Sequence, residues 1–221
     1  MYNSLSNYEV IIFDSDGVIL NSNIIKEKAF LKLTKEFKIN ISESELDNIL
    51  YNCKGKSRYE IIKYLTVKEG INSNLYNEFL LRYSVIVNDE LISCESSNNL
   101  ALLRKKNKSL WLVLTAGDQK ETITIYKKKG IYNFFDLGIF GAPNTKEENI
   151  NYLYEINKDI LRKNILYIGD SMNDLIIAEK YKFDFVLIKE WTTCKEISNN
   201  QFNPSTANFP TLDKFIINTL N

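Results

Sequence analysis

Two short clusters of carboxylates in this sequence have the composition of a divalent-cation site. One is residues 14–17 (Asp-Ser-Asp-Gly), and the other is residues 169–174 (Gly-Asp-Ser-Met-Asn-Asp). Carboxylate oxygens in an octahedral arrangement suit Mg²⁺. A hydroxyl and a lysine, Thr115 and Lys146, lie between the two clusters along the chain. Brought together, these groups would form a site for a cation and a phosphate group.

The spacing of Asp14 and Asp16 suits covalent transfer of a phosphoryl group. Asp14 ends an apolar run, where it is placed to attack phosphorus and form an aspartyl-phosphate, dividing one difficult step into two easier ones. Asp16 would lie on the same side of an extended chain, ready to protonate the leaving alkoxide and then to deprotonate a water. Because the attacking carboxylate and the phosphate repel each other, the site needs positive charge, which Mg²⁺ and Lys146 would supply.

The composition excludes several other kinds of chemistry. The chain has no histidine, so it has no Ser-His-Asp or Cys-His nucleophile and no imidazole metal site. Its 28 basic residues balance 28 acidic ones, and no basic stripe is present, so a nucleic-acid partner is not expected. The cysteines are odd in number and far apart, which favours a reducing, cytoplasmic location. Neither a signal peptide nor a run of apolar residues long enough for a membrane span is predicted.

Four apolar, β-branched runs predict the buried strands that would position these residues. They are residues 9–14, 109–115, 164–170 and 183–188. They alternate with helical patterns, which is typical of a parallel sheet in an α/β fold. Because the carboxyl ends of parallel strands share one edge of the sheet, the polar residues that follow the runs should meet there.

A long helical region separates the first two predicted strands. From about Ser22 to about Asn88, apolar residues recur at helical spacing, which predicts about four helices. This is too long for a simple crossover. We therefore predict a core domain of residues 1–20 and 89–221, and an inserted cap domain of residues 21–88 that lies over the carboxylate edge as a lid.

The motifs, taken in order, resemble those of the haloacid dehalogenase superfamily of aspartate-nucleophile phosphotransferases. The first motif matches residues 13–18 (Phe-Asp-Ser-Asp-Gly-Val), the second Thr115, the third Lys146, and the fourth residues 169–174. The insertion falls where this family has its helical C1 cap. The resemblance implies a Rossmann-like α/β core with a C1 cap and a Mg²⁺-dependent phosphatase activity on a small phosphate ester.

The resemblance also implies a role for each motif residue. The metal ligands would be the Asp14 carboxylate, the Asp16 backbone carbonyl and Asp170. Asp174 would either coordinate the metal or hold Lys146. The residues implied to bind the phosphate or substrate are Thr115, Ala116, Gly117 and Ser171. Purely structural roles are the alternative: Lys146 could be solvated at a helix start, Asp174 could cap its helix, and Thr115 could end a strand or cap a helix.

Residues 53–60 (Cys-Lys-Gly-Lys-Ser-Arg-Tyr-Glu) in the predicted cap could influence substrate choice. Ser57 and Glu60 have the spacing of a capping box, so the segment could simply begin a helix. The basic residues that could instead reach an anionic or polyhydroxylated substrate are Lys54, Lys56 and Arg58.

The same segment looks like the specificity loop of β-phosphoglucomutase, so a sugar phosphomutase is the alternative function. Those mutases carry a histidine soon after the first motif that helps suppress hydrolysis. The corresponding position here is about Lys26. The lack of histidine favours a phosphatase.

Three segments look most like a phosphatase subgroup found in bacterial surface-polysaccharide gene clusters. They are residues 13–23, 55–60 and 141–146. This likeness implies a phosphorylated sugar or sugar derivative as substrate. We expect a monomer or small homo-oligomer.

Overall fold

The computed structural model describes residues 5–52, 55–68, 73–194 and 206–220. Its strands are β1 (Val10–Phe13), β2 (Leu110–Asp118), β3 (Gly138–Ala142), β4 (Ile165–Gly169), β5 (Asp184–Ile188) and β6 (Ala207–Phe209). They form one parallel sheet in the order β3-β2-β1-β4-β5-β6, so the predicted α/β fold is confirmed. The four predicted strands are β1, β2, β4 and β5. The sequence did not indicate β3, which contains two glycines, or β6, which has three residues.

The central position of β1 brings the polar motifs together. Phe13, the last residue of β1, pairs with Val113 of β2 on one side and with Ile168 of β4 on the other. The residues that follow Phe13, Val113 and Ile168 along the chain therefore lie side by side. One prediction was wrong in detail: β2 does not end at Thr115 but continues to Asp118, with a shift in its pairing with β3 after Leu114.

Side chains from both faces of β1 are buried, as expected for a parallel sheet covered by helices. Ile11 and Phe13 belong to a large apolar cluster that extends into the helices between β1 and β2. Val10 and Ile12 point to the opposite face. This double burial fixes the direction of the strand and hence the place of the residue that follows it.

Four helices cover the predicted insertion after β1: α1 (Asn23–Glu36), α2 (Glu43–Asn52), α3 (Arg58–Lys68) and α4 (Ser73–Ser93). A fifth, shorter helix follows them before β2. An aromatic pair joins α1 to α4, with the ring centroids of Phe30 and Tyr83 4.5 Å apart. The exact domain boundaries stay a prediction. The other helices are α5 (Leu100–Lys106), α6 (Gln119–Lys128), α7 (Lys146–Ile156), α8 (Met172–Tyr181) and α9 (Leu212–Leu220). None of these described helices is long and apolar enough to cross a membrane.

Candidate active site

Asp14 follows directly after β1 and is buried at the carboxyl edge of the sheet. Its backbone N–H donates to the carbonyl oxygen of Ile168, which continues the β1–β4 ladder by one residue. One of its carboxylate oxygens accepts a hydrogen bond from the Ser15 N–H at 2.7 Å, and Nζ of Lys146 lies 3.1 Å from the carboxylate. The predicted nucleophile is thus held by backbone and side-chain contacts.

Lys146 is buried and joins two of the motifs. It is the first residue of α7, which begins with a reciprocal capping box between Thr145 and Glu148. Its Nζ lies 2.6 Å from Oδ1 of Asp174 as well as 3.1 Å from Asp14. The alternative of a solvated surface lysine is wrong, because only 5% of this residue is exposed.

Asp174 has hydrogen-bond partners on both carboxylate oxygens. Oδ1 accepts from Lys146 and from the Tyr167 hydroxyl, at 2.6 and 2.5 Å, and Oδ2 accepts from the Ser171 hydroxyl at 2.6 Å. The bond to Ser171 is one half of a capping box at the start of α8, so Asp174 both caps its helix and holds Lys146. Sequence reasoning missed Tyr167. A tyrosine within an otherwise aliphatic buried strand was the available signal, because a buried hydroxyl needs a partner.

The buried carboxylates of Asp14, Asp170 and Asp174 present oxygens within 4.8 Å of one another. Burial raises the pKa of Asp14 well above its usual range despite Lys146. Burial, together with the nearby Asp174, raises the pKa of Asp170 to about 7. One buried lysine thus faces three carboxylates, and a hard cation with oxygen ligands fits the uncompensated negative charge. These residues could therefore hold a metal ion.

Asp16 lies in a tight loop, not in an extended strand as the sequence suggested. Gly17 has a φ of +79°, which allows this turn. The Ser22 hydroxyl donates to Asp16 Oδ1 at 2.5 Å, and Lys26 Nζ lies 2.6 Å from the same carboxylate. Burial would raise the pKa of Asp16, but Lys26 and Ser22 outweigh it and hold the pKa below its usual value. The sequence analysis identified Lys26 as the position that corresponds to the mutase histidine, but it did not predict its contact with Asp16.

Thr115 is fully buried beside this loop. Its hydroxyl oxygen accepts a hydrogen bond from the Gly117 N–H at 2.9 Å and lies 3.4 Å from an Asp16 oxygen. This local bond to Gly117 accompanies the change in pairing between β2 and β3.

A cavity of about 130 Å³ opens between the sheet edge and the inserted helices. The predicted site residues that line it are Asp14, Asp16, Ala116, Gly117, Lys146, Asp170, Ser171 and Arg58. Lys26 and Lys56 contribute further positive charge to its wall. Thr115 and Asp174 are 0% exposed and lie behind this lining. The sequence-predicted residues are thus brought together, except for Lys54, which lies outside the described residues.

The Arg58 side chain is held by contacts with other residues of the protein. Its guanidinium makes two hydrogen bonds to Glu121 on α6 and one of 2.9 Å to Ser84, and it lies 4.6 Å from the ring centroid of Tyr83. The helix-start interpretation of this segment is supported, since Ser57 donates from N–H and hydroxyl to Glu60. Contact between Arg58 and a substrate stays a prediction. Lys56 is exposed and makes no side-chain ion pair within the described part of the chain.

Comparison with protein families identifies the class. The family model described as "haloacid dehalogenase-like hydrolase" matches residues 11–188, which is most of the chain. The protein therefore belongs to the haloacid dehalogenase-like hydrolase family, as its motifs indicated.

The match to an individual curated protein covers only part of the chain. The 6-phosphogluconate phosphatase of Escherichia coli strain K12 is 30% identical over 67 residues, which cover 30% of this chain and 29% of that protein. The chain thus matches less than a third of that relative's length.

Solved structures share the fold over nearly their whole length. A haloacid dehalogenase-like family hydrolase from Streptococcus pneumoniae has a TM-score of 0.70 at 17% identity, covering 97% of this chain and 99% of that one. CbbY from Rhodobacter sphaeroides, in complex with phosphate, has a TM-score of 0.72 at 15% identity, covering 94% and 96%. The HAD-hydrolase YfnB from Bacillus subtilis, bound to magnesium, has a TM-score of 0.68 at 15% identity, covering 97% and 100%. At these identities the likeness concerns the fold.

Proposed function

We propose that this protein is a Mg²⁺-dependent phosphomonoesterase that works through an aspartyl-phosphate. The observation that carries the proposal is the placement of Asp14. It is buried at the end of the central strand, 3.1 Å from Lys146 and close to the carboxylates of Asp170 and Asp174. A carboxylate held in this way, beside a fixed cation and a cation site, is suited to attack a phosphate group.

The Asp14 carboxylate, the Asp16 carbonyl and Asp170 would hold Mg²⁺, which would offset phosphate charge when bound. Lys146 would contribute a second positive charge to the transferring oxygens, and Asp174 keeps Lys146 in place through the 2.6 Å contact. In the first step a carboxylate oxygen of Asp14 attacks phosphorus, the ester P–O bond breaks, and the aspartyl-phosphate forms. Backbone N–H groups near Ala116 and Gly117 would orient the phosphate.

Asp16 would act as the acid and base of the two steps. Because Lys26 and Ser22 hold the pKa of Asp16 below its usual value, Asp16 must take up a proton before the first step. It gives this proton to the leaving alkoxide and later takes one from the water that hydrolyses the aspartyl-phosphate. Its bonds to Ser22 and Lys26 fix the carboxylate beside Thr115, at the wall of the cavity. Hydrolysis then releases inorganic phosphate and restores Asp14.

The substrate we propose is a phosphorylated sugar or sugar derivative, used in surface-polysaccharide biosynthesis in the cytoplasm. A small cavity with the exposed Lys56 at its wall suits a polar, hydroxylated or anionic molecule. The named activity of the Escherichia coli relative is consistent with this class of substrate. A sugar phosphomutase is the alternative, favoured by the Gly55–Lys56 segment that borders the cavity. We propose a monomer or small homo-oligomer.

The test is inorganic phosphate release from a panel of sugar phosphates, phosphorylated amino alcohols and nucleotide-linked sugar phosphates, with Mg²⁺ and with EDTA. Release should require Mg²⁺ and disappear in Asp14→Asn. Asp159→Asn, at an exposed position, is the matched control and should keep wild-type turnover. Activity that survives in Asp14→Asn would refute the nucleophile. Conversion of a sugar bisphosphate without release of phosphate would favour the mutase.

A further inference from the structure

The side chain of Asn23 joins the predicted cap to a predicted metal ligand. Asn23 is the first residue of α1, in the insertion, and Asp170 follows β4 of the sheet. The Asn23 amide nitrogen donates one hydrogen bond to Asp170 Oδ2, at 2.9 Å, and another to the carbonyl oxygen of Trp191, at 3.0 Å. The amide therefore has a fixed orientation.

Several contacts among the described residues hold Asp170 in place. Asn23 holds Oδ2, the Thr192 hydroxyl donates to the backbone carbonyl at 2.7 Å, and the backbone N–H donates to Asp174 at 3.3 Å. The Thr192 hydroxyl also reaches the carboxylate, where its hydrogen bond, like that of Asn23, partly offsets the rise in the Asp170 pKa. These contacts fix the orientation of the carboxylate.

Asp174 shows the contrasting arrangement. Lys146 and Tyr167 hold its Oδ1, and Ser171 holds its Oδ2, so both oxygens are committed to protein groups. Asp170 receives a neutral amide instead of an ammonium group. A neutral donor fixes the orientation of the carboxylate but leaves its negative charge for a cation.

The loop after β1 is built around the Asn23–Asp170 pair. A Cβ atom at Gly17 would lie 2.0 Å from Asp170 Oδ2 and 2.5 Å from the Asn23 amide nitrogen. The glycine therefore gives the backbone room to pack directly against the hydrogen bond. Rotation of the Asp170 carboxylate is restricted on this side as well.

We infer that Asn23 is a positioning residue for the metal site: its amide holds Oδ2 of Asp170 and thereby fixes the orientation in which the carboxylate meets the ion. This inference rests on the metal site of the proposed function. Asn23 is the first residue of the first inserted helix, α1. A shift of α1 would therefore move the amide that holds Asp170 and change the affinity for the metal. The contact crosses between two elements that are far apart in sequence, so no local motif contains it.

Binding of Mn²⁺ to the full-length protein, measured by the EPR signal of the free ion and followed by competition with Mg²⁺, tests this inference without any substrate. Asn23→Leu keeps the approximate side-chain size but removes the amide. Loss of such an outer hydrogen bond to a ligand is expected to weaken binding by about tenfold or more. Asn48→Leu, at an exposed position of α2, is the control and should bind as wild type does. Thermal unfolding without metal shows whether each variant is folded.

The outcomes separate a positioning role from a structural one. If Asn23 only fastens α1 to the Trp191 carbonyl, Asn23→Leu will lower the melting temperature and leave the Mn²⁺ affinity within twofold of wild type, which overturns the inference. If Asn23→Leu does not fold, Asn23→Ala is measured against the same two criteria. Wild-type protein that binds neither ion would instead refute the metal centre of the proposed function, and this inference with it.

Discussion

At the scale of single residues, buried ion pairs dominate the candidate site. Lys146 is one cation between two buried carboxylates, at 3.1 Å from Asp14 and 2.6 Å from Asp174. The removal of such a lysine leaves buried carboxylates without a partner. An unpaired buried charge lowers the free energy of unfolding by more than the intact ion pair adds to it.

Replacing Lys146 should therefore destabilise the protein as well as inactivate it. Lys146→Met leaves Asp14 and Asp174 without their shared partner, and we expect the free energy of unfolding in EDTA to fall by about 3 kcal/mol. Urea denaturation measures this loss. Lys158→Met, at an exposed position, is the control, with an expected change below about 0.5 kcal/mol. A loss of the same small size in Lys146→Met would show that the pair is unimportant for stability.

Lys26 should act through Asp16. Lys26→Met removes the partner that lies 2.6 Å from the Asp16 carboxylate, and we expect kcat to fall about tenfold with KM nearly unchanged. Added to Asp16→Asn, the same change should cause little further loss, since both variants interrupt one interaction. Steady-state kinetics on the best substrate of the panel test this, with the exposed Lys28→Met as control. Additive losses in the double variant would contradict the coupling.

At the scale of elements, helix starts and contacts between helices place the functional groups. The capping box of Thr145 and Glu148 determines where α7 begins, and Lys146 is the first residue of that helix. Thr145→Ala should lower the free energy of unfolding by about 1 kcal/mol, because it removes the acceptor for the Glu148 N–H. Thr124→Ala, at an exposed position within α6, is the comparison in urea denaturation and should change stability by less than about 0.5 kcal/mol. Equal effects of the two variants would refute the role of the cap.

The contact between α3 and α6 depends on Arg58 and Glu121, which are 5% and 13% exposed. Arg58→Met should lower the free energy of unfolding by about 3 kcal/mol, since it leaves the Glu121 carboxylate unpaired. Arg82→Met is a matched control in the same insertion. It breaks a pair with Glu36 in which the side chains are 41% and 31% exposed, and such pairs contribute about 0–1 kcal/mol. A large rise in KM with unchanged stability would instead show that Arg58 serves the substrate.

At the scale of the whole molecule, binding of Mg²⁺ at the proposed metal site should increase the stability of the fold. Asp14 and Asp170 come from two different strand ends, so an ion held by both ties the carboxyl edge of the sheet together. At about 100 times its dissociation constant, Mg²⁺ should add about 2.7 kcal/mol to the free energy of unfolding. Asp170→Asn should abolish this gain, and the exposed Asp159→Asn should retain it. Equal stabilisation of both variants by Mg²⁺ would place the ion elsewhere.

Most of the fold could be predicted from the chain alone. Apolar runs of four to six residues marked β1, β2, β4 and β5, because strands buried on both faces must be continuously apolar. The four inserted helices followed from the spacing of their apolar residues. The strand β3 was missed because its two glycines weaken the β signal, and β6 was missed because it is very short.

The sequence by itself determined which chemistry is available. With no histidine, it offers carboxylates, a threonine and lysines in the order of a known family, and strand ends predict that they meet. Only the tertiary structure decided which side chains hydrogen-bond to each other. The pairs are Asn23 with Asp170, Lys26 with Asp16, Tyr167 with Asp174, and Arg58 with Glu121. Apolar periodicity is repeated along the chain and can be read locally. A polar contact between distant segments depends on the relative placement of the elements, which packing fixes only when the whole chain has folded.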